Sequence, residues 1–312
     1  VEYPWGSERY LATGEACPPN VLDEYRNLDA IFLGAIGDPR CPIGVVEHAV
    51  VMAARVGLDL YVNLRPITLY AEHLCPLKNK KPEDVDLIVC RENTEDAYTG
   101  PWGILKKGTP DEVALALMVY TRKGTERIIR YAFELARARG GKKKVTLADK
   151  ANAVRAQEIW TRTFEEVGFE YPDVEKDHAY VDACCMWMIK NPEQFDVIVT
   201  SNLFGDIITD LGAMIQGGMG IAAGGNIHPG KVSMFEPIHG SAPKYAGKGV
   251  ANPLAAICAV GMMLDHIGEK NAAARIFGAV RALLTSRRIA SVDARSGLST
   301  SEIGDAVARE LS

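Results

Sequence analysis

Residues 201–212 read Ser-Asn-Leu-Phe-Gly-Asp-Ile-Ile-Thr-Asp-Leu-Gly and directly follow a short apolar run at residues 195–200. The run predicts a buried strand, and Asn202 is placed to cap a helix that begins just after it. Asp206 and Asp210 then lie four residues apart on one face of that helix, where two like charges are destabilising. The spacing therefore indicates a positive partner. A divalent cation held by carboxylate oxygens would serve. The alternative is that both aspartates are solvated and paired with Lys or Arg.

Apolar runs alternate with stretches of helical periodicity along most of the chain. Strands are predicted at residues 28–37, 58–64, 86–90, 144–148, 174–180 and 195–200. Helices are predicted at residues 43–56, 121–139, 152–167 with Asn152 as the cap, 181–189, after Asn202, and 253–266. Residues 100–110 favour a projecting hairpin, and the glycine-rich residues 217–225 favour a flexible turn. The alternation predicts an α/β fold with a largely parallel sheet.

Composition narrows the class of protein. With 312 residues, of which 47% are apolar and 24% charged, the chain is long enough for a large core and two domains. A net charge of -5 gives no basic surface for nucleic acid, and no apolar run is long enough to span a membrane. The seven cysteines lack a metal-binding CxxC spacing, which favours reduced thiols and a cytoplasmic location. The chain starts at Val1 rather than Met, so a preceding targeting segment stays open.

Three arginines, Arg55, Arg65 and Arg91, lie at or near the ends of predicted elements. Guanidinium groups grip carboxylates through two parallel hydrogen bonds, so three of them would suit a substrate with two carboxylates. Taken singly, each arginine is better explained as a surface or domain-packing residue.

Three further polar residues follow strand ends or open helices. Tyr98 lies where α/β proteins often place site residues, although a packed aromatic is the alternative. Lys150 would act as an acid or base if it were partly desolvated, and otherwise is a solvated charge. Asp182 lies at the start of a predicted helix. It is either an ordinary acidic residue of the first helical turn or a third carboxylate ligand of the metal.

A standard dinucleotide or P-loop motif is missing from the sequence. The substitute candidate is the loop at residues 236–245, Glu-Pro-Ile-His-Gly-Ser-Ala-Pro-Lys-Tyr, whose small residues would admit a flat ring or a phosphate. Lys244 could meet an additional phosphate as a point charge. His239 alone is an ordinary loop histidine.

Four motifs occur in a characteristic order: Arg-Glu-Asn-Thr-Glu-Asp-Ala-Tyr at residues 91–98, Asp-Lys-Ala-Asn at 149–152, Ser-Asn-Leu-Phe-Gly-Asp-Ile-Ile-Thr-Asp at 201–210 and Glu-Pro-Ile-His-Gly-Ser-Ala-Pro at 236–243. Together they resemble the isocitrate/isopropylmalate dehydrogenase family, the metal-dependent β-decarboxylating dehydrogenases, over nearly all of the chain.

The resemblance implies a two-stage reaction in which a nicotinamide cofactor takes hydride from a secondary alcohol and the keto acid then loses carbon dioxide. Mg²⁺ or Mn²⁺ would stabilise the enolate. By position, the resemblance gives the substrate-binding arginines as Arg55, Arg65 and Arg91, the proton donor as Tyr98, the base as Lys150, and the metal carboxylates as Asp182, Asp206 and Asp210. It gives the cofactor-binding residues as Glu236, His239, Gly240, Ser241, Ala242, Lys244, Tyr245 and Asn252.

The family also implies an architecture. Residues 1–60 with 218–312 would form a large cofactor-binding domain, and residues 61–217 a small substrate and dimerisation domain. The active unit would be a homodimer with shared sites, in which Lys150 and Asp182 come from the second subunit. The segment near residues 100–120 would be the arm that clasps the two subunits.

Two departures from the family pattern affect the cofactor. The N-terminal strand with its Gly-Asp-Gly-Ile-Gly-Pro-Glu turn has no counterpart, since the chain opens at a point that resembles the sequence downstream of it. Lys244 and Tyr245 resemble the NADP-using isocitrate enzymes more than the NAD-using relatives, so we expect NADP, with NAD as the alternative. Arg295 is the candidate for the C-terminal arginine of the NADP pattern.

The helix before Arg55 indicates the substrate. Isocitrate enzymes hold a third carboxylate with Ser and Asn where this chain has Ala49 and Val51, with Met52 alongside. An apolar wall leaves a carboxylate unpaired and suits an isopropyl group, whose burial is worth about 1.5–3 kcal/mol. We therefore expect oxidation of 3-isopropylmalate. Because His48 is unusual in that branch, a tartrate or D-malate dehydrogenase is the near alternative. An isocitrate-type dehydrogenase and a non-catalytic regulatory subunit are further alternatives.

Overall fold

The computed structural model describes residues 1–294 and 296–312. Its α-helices are α1 Ser7–Thr13, α2 Val21–Tyr25, α3 Val45–Glu47, α4 Ala53–Gly57, α5 Arg122–Arg139, α6 Glu158–Gly168, α7 Val181–Lys190, α8 Asn202–Ile215, α9 Leu254–His266, α10 Lys270–Thr285 and α11 Thr300–Leu311. Its strands are β1 Ile31–Phe32, β2 Val62–Thr68, β3 Asp86–Glu92, β4 Trp102–Leu105, β5 Val113–Ala116, β6 Lys144–Asp149, β7 Glu175–Tyr180, β8 Val197–Thr200, β9 Ala223–Ile227 and β10 Met234–Pro237.

The first compact unit comprises Val1–Asp86 with Asp210–Ser312. Its strands lie in the order β1-β10-β9-β2, with β1 parallel to β10 and β9 antiparallel to both of its neighbours. Helix α9 packs against β9 and β10, and α10 packs between α9 and α11. Buried aliphatic side chains of these helices, among them Leu254, Val280 and Leu283, form the core of this unit.

The second compact unit comprises Leu87–Thr209. Its strands lie in the order β3-β8-β6-β7, and every pair among them is parallel. All four residues of β8 are buried, as expected for a strand inside a parallel sheet covered by helices. The helices α5, α6 and α7 pack on these strands, and β4 and β5 form a separate antiparallel hairpin. The prediction of an α/β fold with largely parallel strands is confirmed.

The sequence places the domain divisions near residues 60 and 217, and these domain boundaries stay predictions. The compact units of the structure divide after Asp86 and before Asp210. Strand β2 belongs to the first unit because it pairs with β9, and the second boundary falls inside α8. Such pairing depends on residues distant in sequence, which local periodicity does not report. The roles assigned to the two domains stay predictions.

Several local predictions are wrong. Residues 223–227 form the buried strand β9 rather than a flexible turn. Asn152 lies in a turn, and the following helix begins only at Glu158. The strand expected over residues 28–37 is reduced to the two residues of β1. The helix expected over residues 43–56 is interrupted at His48–Met52 by a π-helical turn, a conformation without a signature in hydrophobic periodicity.

The start of α8 also differs from the expected cap. Asn202 is the first residue of the helix, and its side-chain oxygen accepts hydrogen bonds from Arg91. The orphan N–H of Leu203 donates instead to the carboxylate of Asp96, at 2.9 Å. A buried carboxylate at this end is favoured by the helix dipole.

Candidate active site

Four side chains of the second unit converge at the start of α8. The guanidinium of Arg91, at the carboxyl end of β3, donates from Nε and from a terminal nitrogen to Oδ1 of Asn202, at 2.9 and 2.7 Å. Its other terminal nitrogen pairs with Asp206. The hydroxyl of Tyr98 donates to the second oxygen of Asp206 at 2.7 Å. Arg91 is buried and Tyr98 is partly exposed, so the cluster presents a phenol at its surface above a fixed guanidinium.

Gly205 allows this close approach. A Cβ atom at this position would lie 2.4 Å from Cγ of Arg91 and 2.6 Å from its Cβ. Contacts that short do not occur between real side chains, so the arginine stem occupies the space that a side chain at residue 205 would need.

A second pair of predicted residues lies at the carboxyl end of β6. The amine of Lys150 lies 2.5 Å from Oδ1 of Asp182, the second residue of α7. The hydrogen bond from Lys150 lowers the pKa of the Asp182 carboxyl below its ordinary value. The preceding Asp149 is buried and accepts a hydrogen bond from His178 at 3.0 Å, which raises the pKa of that imidazole.

The predicted metal carboxylates have other partners in this single chain. Asp206 pairs with Arg91, and Asp210 lies 3.9 Å from the guanidinium of Arg65. These arginine pairs match the alternative interpretation of the spacing on α8, and the metal assignment stays a prediction. Over residues 1–294 and 296–312, the structure brings together no group of three His, Cys, Asp or Glu side chains that could hold a metal. The donor chemistry still fits a hard cation, because Asp210 and Asp182 are largely exposed carboxylates.

The other two predicted substrate arginines lie in the first unit, joined by a buried chain of amides. Arg65 donates from Nε to Oδ1 of Asn63 at 2.6 Å, and Asn63 donates to Oδ1 of Asn226 at 2.8 Å. Asn226 donates to Oε1 of Glu236 at 2.8 Å, and Arg55 donates to the same oxygen at 3.0 Å. Glu236, which we assigned to the cofactor, is therefore engaged with Arg55. Sequence reasoning missed Asn63 and Asn226, for which periodicity holds no signal.

A cavity of about 540 Å³ in the first unit is the candidate cofactor site. Its size is within the range of small-molecule pockets. It is lined by most of the predicted cofactor residues, namely His239, Gly240, Ser241, Ala242, Tyr245 and Asn252.

Two hydrogen bonds fix residues that line the cavity. The Ser241 hydroxyl donates to the backbone carbonyl of Gly37 at 2.5 Å, and Oδ1 of Asn252 accepts from the N–H of Leu254, the first residue of α9, at 3.0 Å. Lys244 lies with its amine 4.9 Å from the centre of the Tyr245 ring. Arg295 lies outside the residues that the structure describes.

The helical segment before Arg55 packs its apolar residues partly inward. Ala49 packs against a core cluster that includes Val46 and Val50, and Val51 packs against one that includes Leu60. Both keep some exposure, and His48 is exposed. The apolar wall facing a substrate therefore stays a prediction.

Comparisons with known proteins give the class. The sequence profile of the isocitrate/isopropylmalate dehydrogenase family matches residues 1–307. The chain is 49% identical over its full length to the 3-isopropylmalate dehydrogenase of Thermobifida fusca, of which it covers 87%. It is 48% identical over its full length to the 3-isopropylmalate dehydrogenase of Rhodococcus erythropolis, of which it covers 90%. It resembles the crystal structure of isocitrate dehydrogenase from Methylococcus capsulatus with a TM-score of 0.89 at 39% identity, over 98% of this chain and 88% of that one.

The chain belongs to the isocitrate/isopropylmalate dehydrogenase family. Members of this family use a divalent metal and NAD, and a small dicarboxylic acid substrate is consistent with the membership. The expectation of a dehydrogenase from this family is confirmed. Within the described part of the chain, the helices include none that is both long and apolar enough to cross a membrane.

Proposed function

We propose that the chain catalyses the oxidative decarboxylation of 3-isopropylmalate to 4-methyl-2-oxopentanoate, a step of leucine biosynthesis. The convergence of Arg91 and Tyr98 on Asp206 carries the proposal, because it sets a carboxylate-binding cation and a proton donor beside a potential metal ligand. The 3-isopropylmalate dehydrogenases that are 48–49% identical over the full chain support the choice of substrate.

The three arginines bind the two substrate carboxylates in this proposal. Arg55, Arg65 and Arg91 are each held by a neutral amide or a carboxylate, so their guanidinium groups are oriented before substrate arrives. Orientation before binding reduces the entropy lost on binding.

The proton steps fall to Lys150 and Tyr98. Lys150 takes the proton of the substrate hydroxyl while the hydrogen on the same carbon leaves as hydride to the nicotinamide cofactor. The resulting keto acid loses its carboxylate as carbon dioxide, and the electron pair of the broken bond forms an enolate. Tyr98 then donates its proton to the enolate carbon.

Asp182, Asp206 and Asp210 would hold Mg²⁺ or Mn²⁺, which would supply Lewis-acid stabilisation of the developing oxyanion. The cavity loop with His239, Gly240, Ser241 and Ala242 would hold the nicotinamide cofactor, together with Tyr245 and Asn252. Lys244 supports NADP, because an amine favours a 2′-phosphate by charge.

The active unit in this proposal is a homodimer. Helix α7 exposes Met186 (71%), Trp187 and Ile189, and the hairpin exposes Trp102 (76%) and its apolar neighbours, which is unusual for a monomer's surface. Shared sites are testable by mixing Lys150→Ala with Tyr98→Phe after subunit exchange. If Lys150 serves the partner's site, the mixture regains activity that neither variant has. If every site uses its own Lys150, the mixture stays inactive.

A cytoplasmic location belongs to the same proposal. All seven cysteines are free thiols, as expected in a reducing compartment. Localisation of the tagged full-length protein in cell fractions would test it, and recovery in an exported fraction would contradict it.

The substrate test is a matrix of 3-isopropylmalate, isocitrate, homoisocitrate, tartrate and D-malate against NAD and NADP, each with Mn²⁺ and Mg²⁺. We expect the highest kcat/KM for 3-isopropylmalate. The likeness to the Methylococcus capsulatus isocitrate dehydrogenase makes isocitrate the second candidate. A higher kcat/KM for isocitrate would refute the apolar-wall argument from Ala49 and Val51, and turnover of none of the acids would refute the proposed function.

A further inference from the structure

A continuous chain of hydrogen bonds inside the second unit joins the Lys150 backbone to the start of α8. The Lys150 N–H donates to Oε1 of Gln157 at 2.5 Å, and Nε2 of Gln157 donates to the hydroxyl of Tyr120 at 3.0 Å. That hydroxyl donates to Oδ1 of Asp96 at 3.1 Å, and Oδ2 of Asp96 accepts from the N–H of Leu203 at 2.9 Å. Gln157 and Asp96 are fully buried.

Every group in this chain has one possible orientation. The Tyr120 hydroxyl has a single proton, which it gives to Asp96, so it must accept from the amide of Gln157. The Gln157 oxygen therefore faces the Lys150 N–H. Burial, together with the nearby Asp96 carboxylate, raises the pKa of Tyr120, so the hydroxyl stays protonated at neutral pH. A chain with fixed donors and acceptors holds its ends at a defined separation.

Asp96 also fixes the turn that carries Tyr98. Its backbone is in the left-handed region, with φ at 75°, which is strained for a residue with a side chain. Its N–H donates to the carbonyl of Val119 at 2.9 Å, and its carboxylate accepts from the N–H of Ala97 at 2.8 Å. The strained conformation persists because several hydrogen bonds require it.

We propose that Gln157, Tyr120 and Asp96 are positioning residues, which hold Lys150, Tyr98 and α8 in one arrangement. Lys150 and Tyr98 perform the two proton transfers of the proposed function, on which this inference rests. Neither end of the chain is free to move by itself, since each hydrogen bond specifies the next. Loss of one member displaces the proton-transfer groups and leaves Arg55 and Arg65 of the first unit unaffected.

The test compares two variants of the chain with a matched control. Tyr120→Phe removes the hydroxyl. Gln157→Met keeps the approximate volume and removes the hydrogen bonds to Lys150 and Tyr120, together with a longer one to Ser201 at 3.5 Å. Tyr171→Phe is the control, because Tyr171 is a buried tyrosine of the second unit whose hydroxyl donates to Glu134 at 2.8 Å, away from these groups. We expect the two test variants to lower kcat and the single-turnover rate of cofactor reduction by about 10- to 100-fold, with KM within about threefold of wild type. The control should keep wild-type kcat.

A second measurement does not depend on the substrate. Hydrogen exchange of the peptide that contains the Lys150 amide should accelerate by at least about tenfold in Gln157→Met, because that amide loses its acceptor. An unchanged exchange rate would overturn the proposal even if no substrate were found. The proposal would also be overturned if the two test variants kept kcat within twofold of wild type, or if the control lost as much kcat as they do. Unfolding of Tyr120→Phe alone would overturn it as well, because it would show a role in folding. An inactive wild type with the expected exchange change would refute only the proposed function.

Discussion

Replacing Gly205 with alanine should damage the active site while leaving the protein folded. The added Cβ would lie 2.4 Å from Cγ of Arg91, 2.6 Å from its Cβ and 2.9 Å from its Cδ. The Arg91 side chain is only 2% exposed and is held by Asn202 and Asp206, so its stem has no route into solvent. The guanidinium must therefore move if the helix and the strand keep their places.

The size of the effect follows from these distances. Ordinary van der Waals contact begins at 3.4 Å, so the closest pair must separate by 3.4 minus 2.4, or 1.0 Å. Misplacing a substrate-binding group by about 1 Å is worth roughly 100-fold in rate. Overpacking a core costs about 1–3 kcal/mol, and alanine in place of glycine inside a helix returns about 1 kcal/mol. The net loss of folding free energy is then about 0–2 kcal/mol.

The assay is steady-state reduction of cofactor with 3-isopropylmalate, combined with urea unfolding. Gly205→Ala should lower kcat/KM by about 100-fold. Its free energy of unfolding should fall by only about 0–2 kcal/mol. Gly278→Ala is the matched control, because Gly278 lies inside α10 with nothing within 4 Å of an added Cβ. The free energy of unfolding of Gly278→Ala should rise by up to about 1 kcal/mol, and its kcat and KM should equal those of the wild type. If Gly205→Ala retained kcat/KM within threefold of wild type, the argument from the Arg91 contact would be refuted.

Three further predictions concern other groups. Lys150→Ala should lower kcat by about 10²- to 10⁴-fold and keep Mn²⁺ binding in equilibrium dialysis; wild-type turnover would remove the lysine from the mechanism. Asn226→Asp should raise the substrate KM and destabilise the fold by about 1–3 kcal/mol in urea melts. The new carboxylate oxygen would face the Glu236 carboxylate at 2.8 Å, where the Asn226 amide now donates a hydrogen bond. Unchanged KM and stability would contradict this prediction. The raised pKa of His178 means that its bond to Asp149 stabilises the protein below the ordinary histidine pKa and less as pH rises past the folded value. His178→Gln should therefore lose more stability at pH 6 than at pH 8.5, by at most about 1 kcal/mol because the imidazole is about a third exposed; equal losses at both pH values would refute the assignment.

The sequence predicted the parts of the site that depend on local spacing. The spacing of Asp206 and Asp210 on α8 left a metal ion or basic side chains open as partners, and in this single chain Arg91 and Arg65 lie beside them. The apolar run before Ser201 predicts a buried strand, and the structure confirms it, since all four residues of β8 are buried. These inferences hold because strand and helix geometry fix neighbouring side chains within a few residues.

The hydrogen-bonded chain through Asp96, Tyr120 and Gln157 was not predicted. Asp96 and Tyr120 are 24 residues apart, and Tyr120 and Gln157 are 37 apart. A bond over that separation depends on how strands are ordered in the sheet, and no periodicity of either segment reports it. The same reason explains why Asn202 was expected to cap α8, when its amide serves Arg91 instead.

Glycines inside a helix are one trace that such distant contacts leave in a sequence. Alanine in place of either glycine of α8 would stabilise the helix by about 1 kcal/mol. A glycine inside the helix therefore indicates that a neighbouring group packs too closely for a side chain. Gly205 and Gly212 are seven residues apart and therefore share a face of the helix. An added Cβ at Gly205 would meet Arg91 of β3, and one at Gly212 would meet Ile67 of β2 at 2.1 Å. The helix face that contacts the strands can thus be deduced from these two glycines alone, but the identity of each strand residue requires the fold.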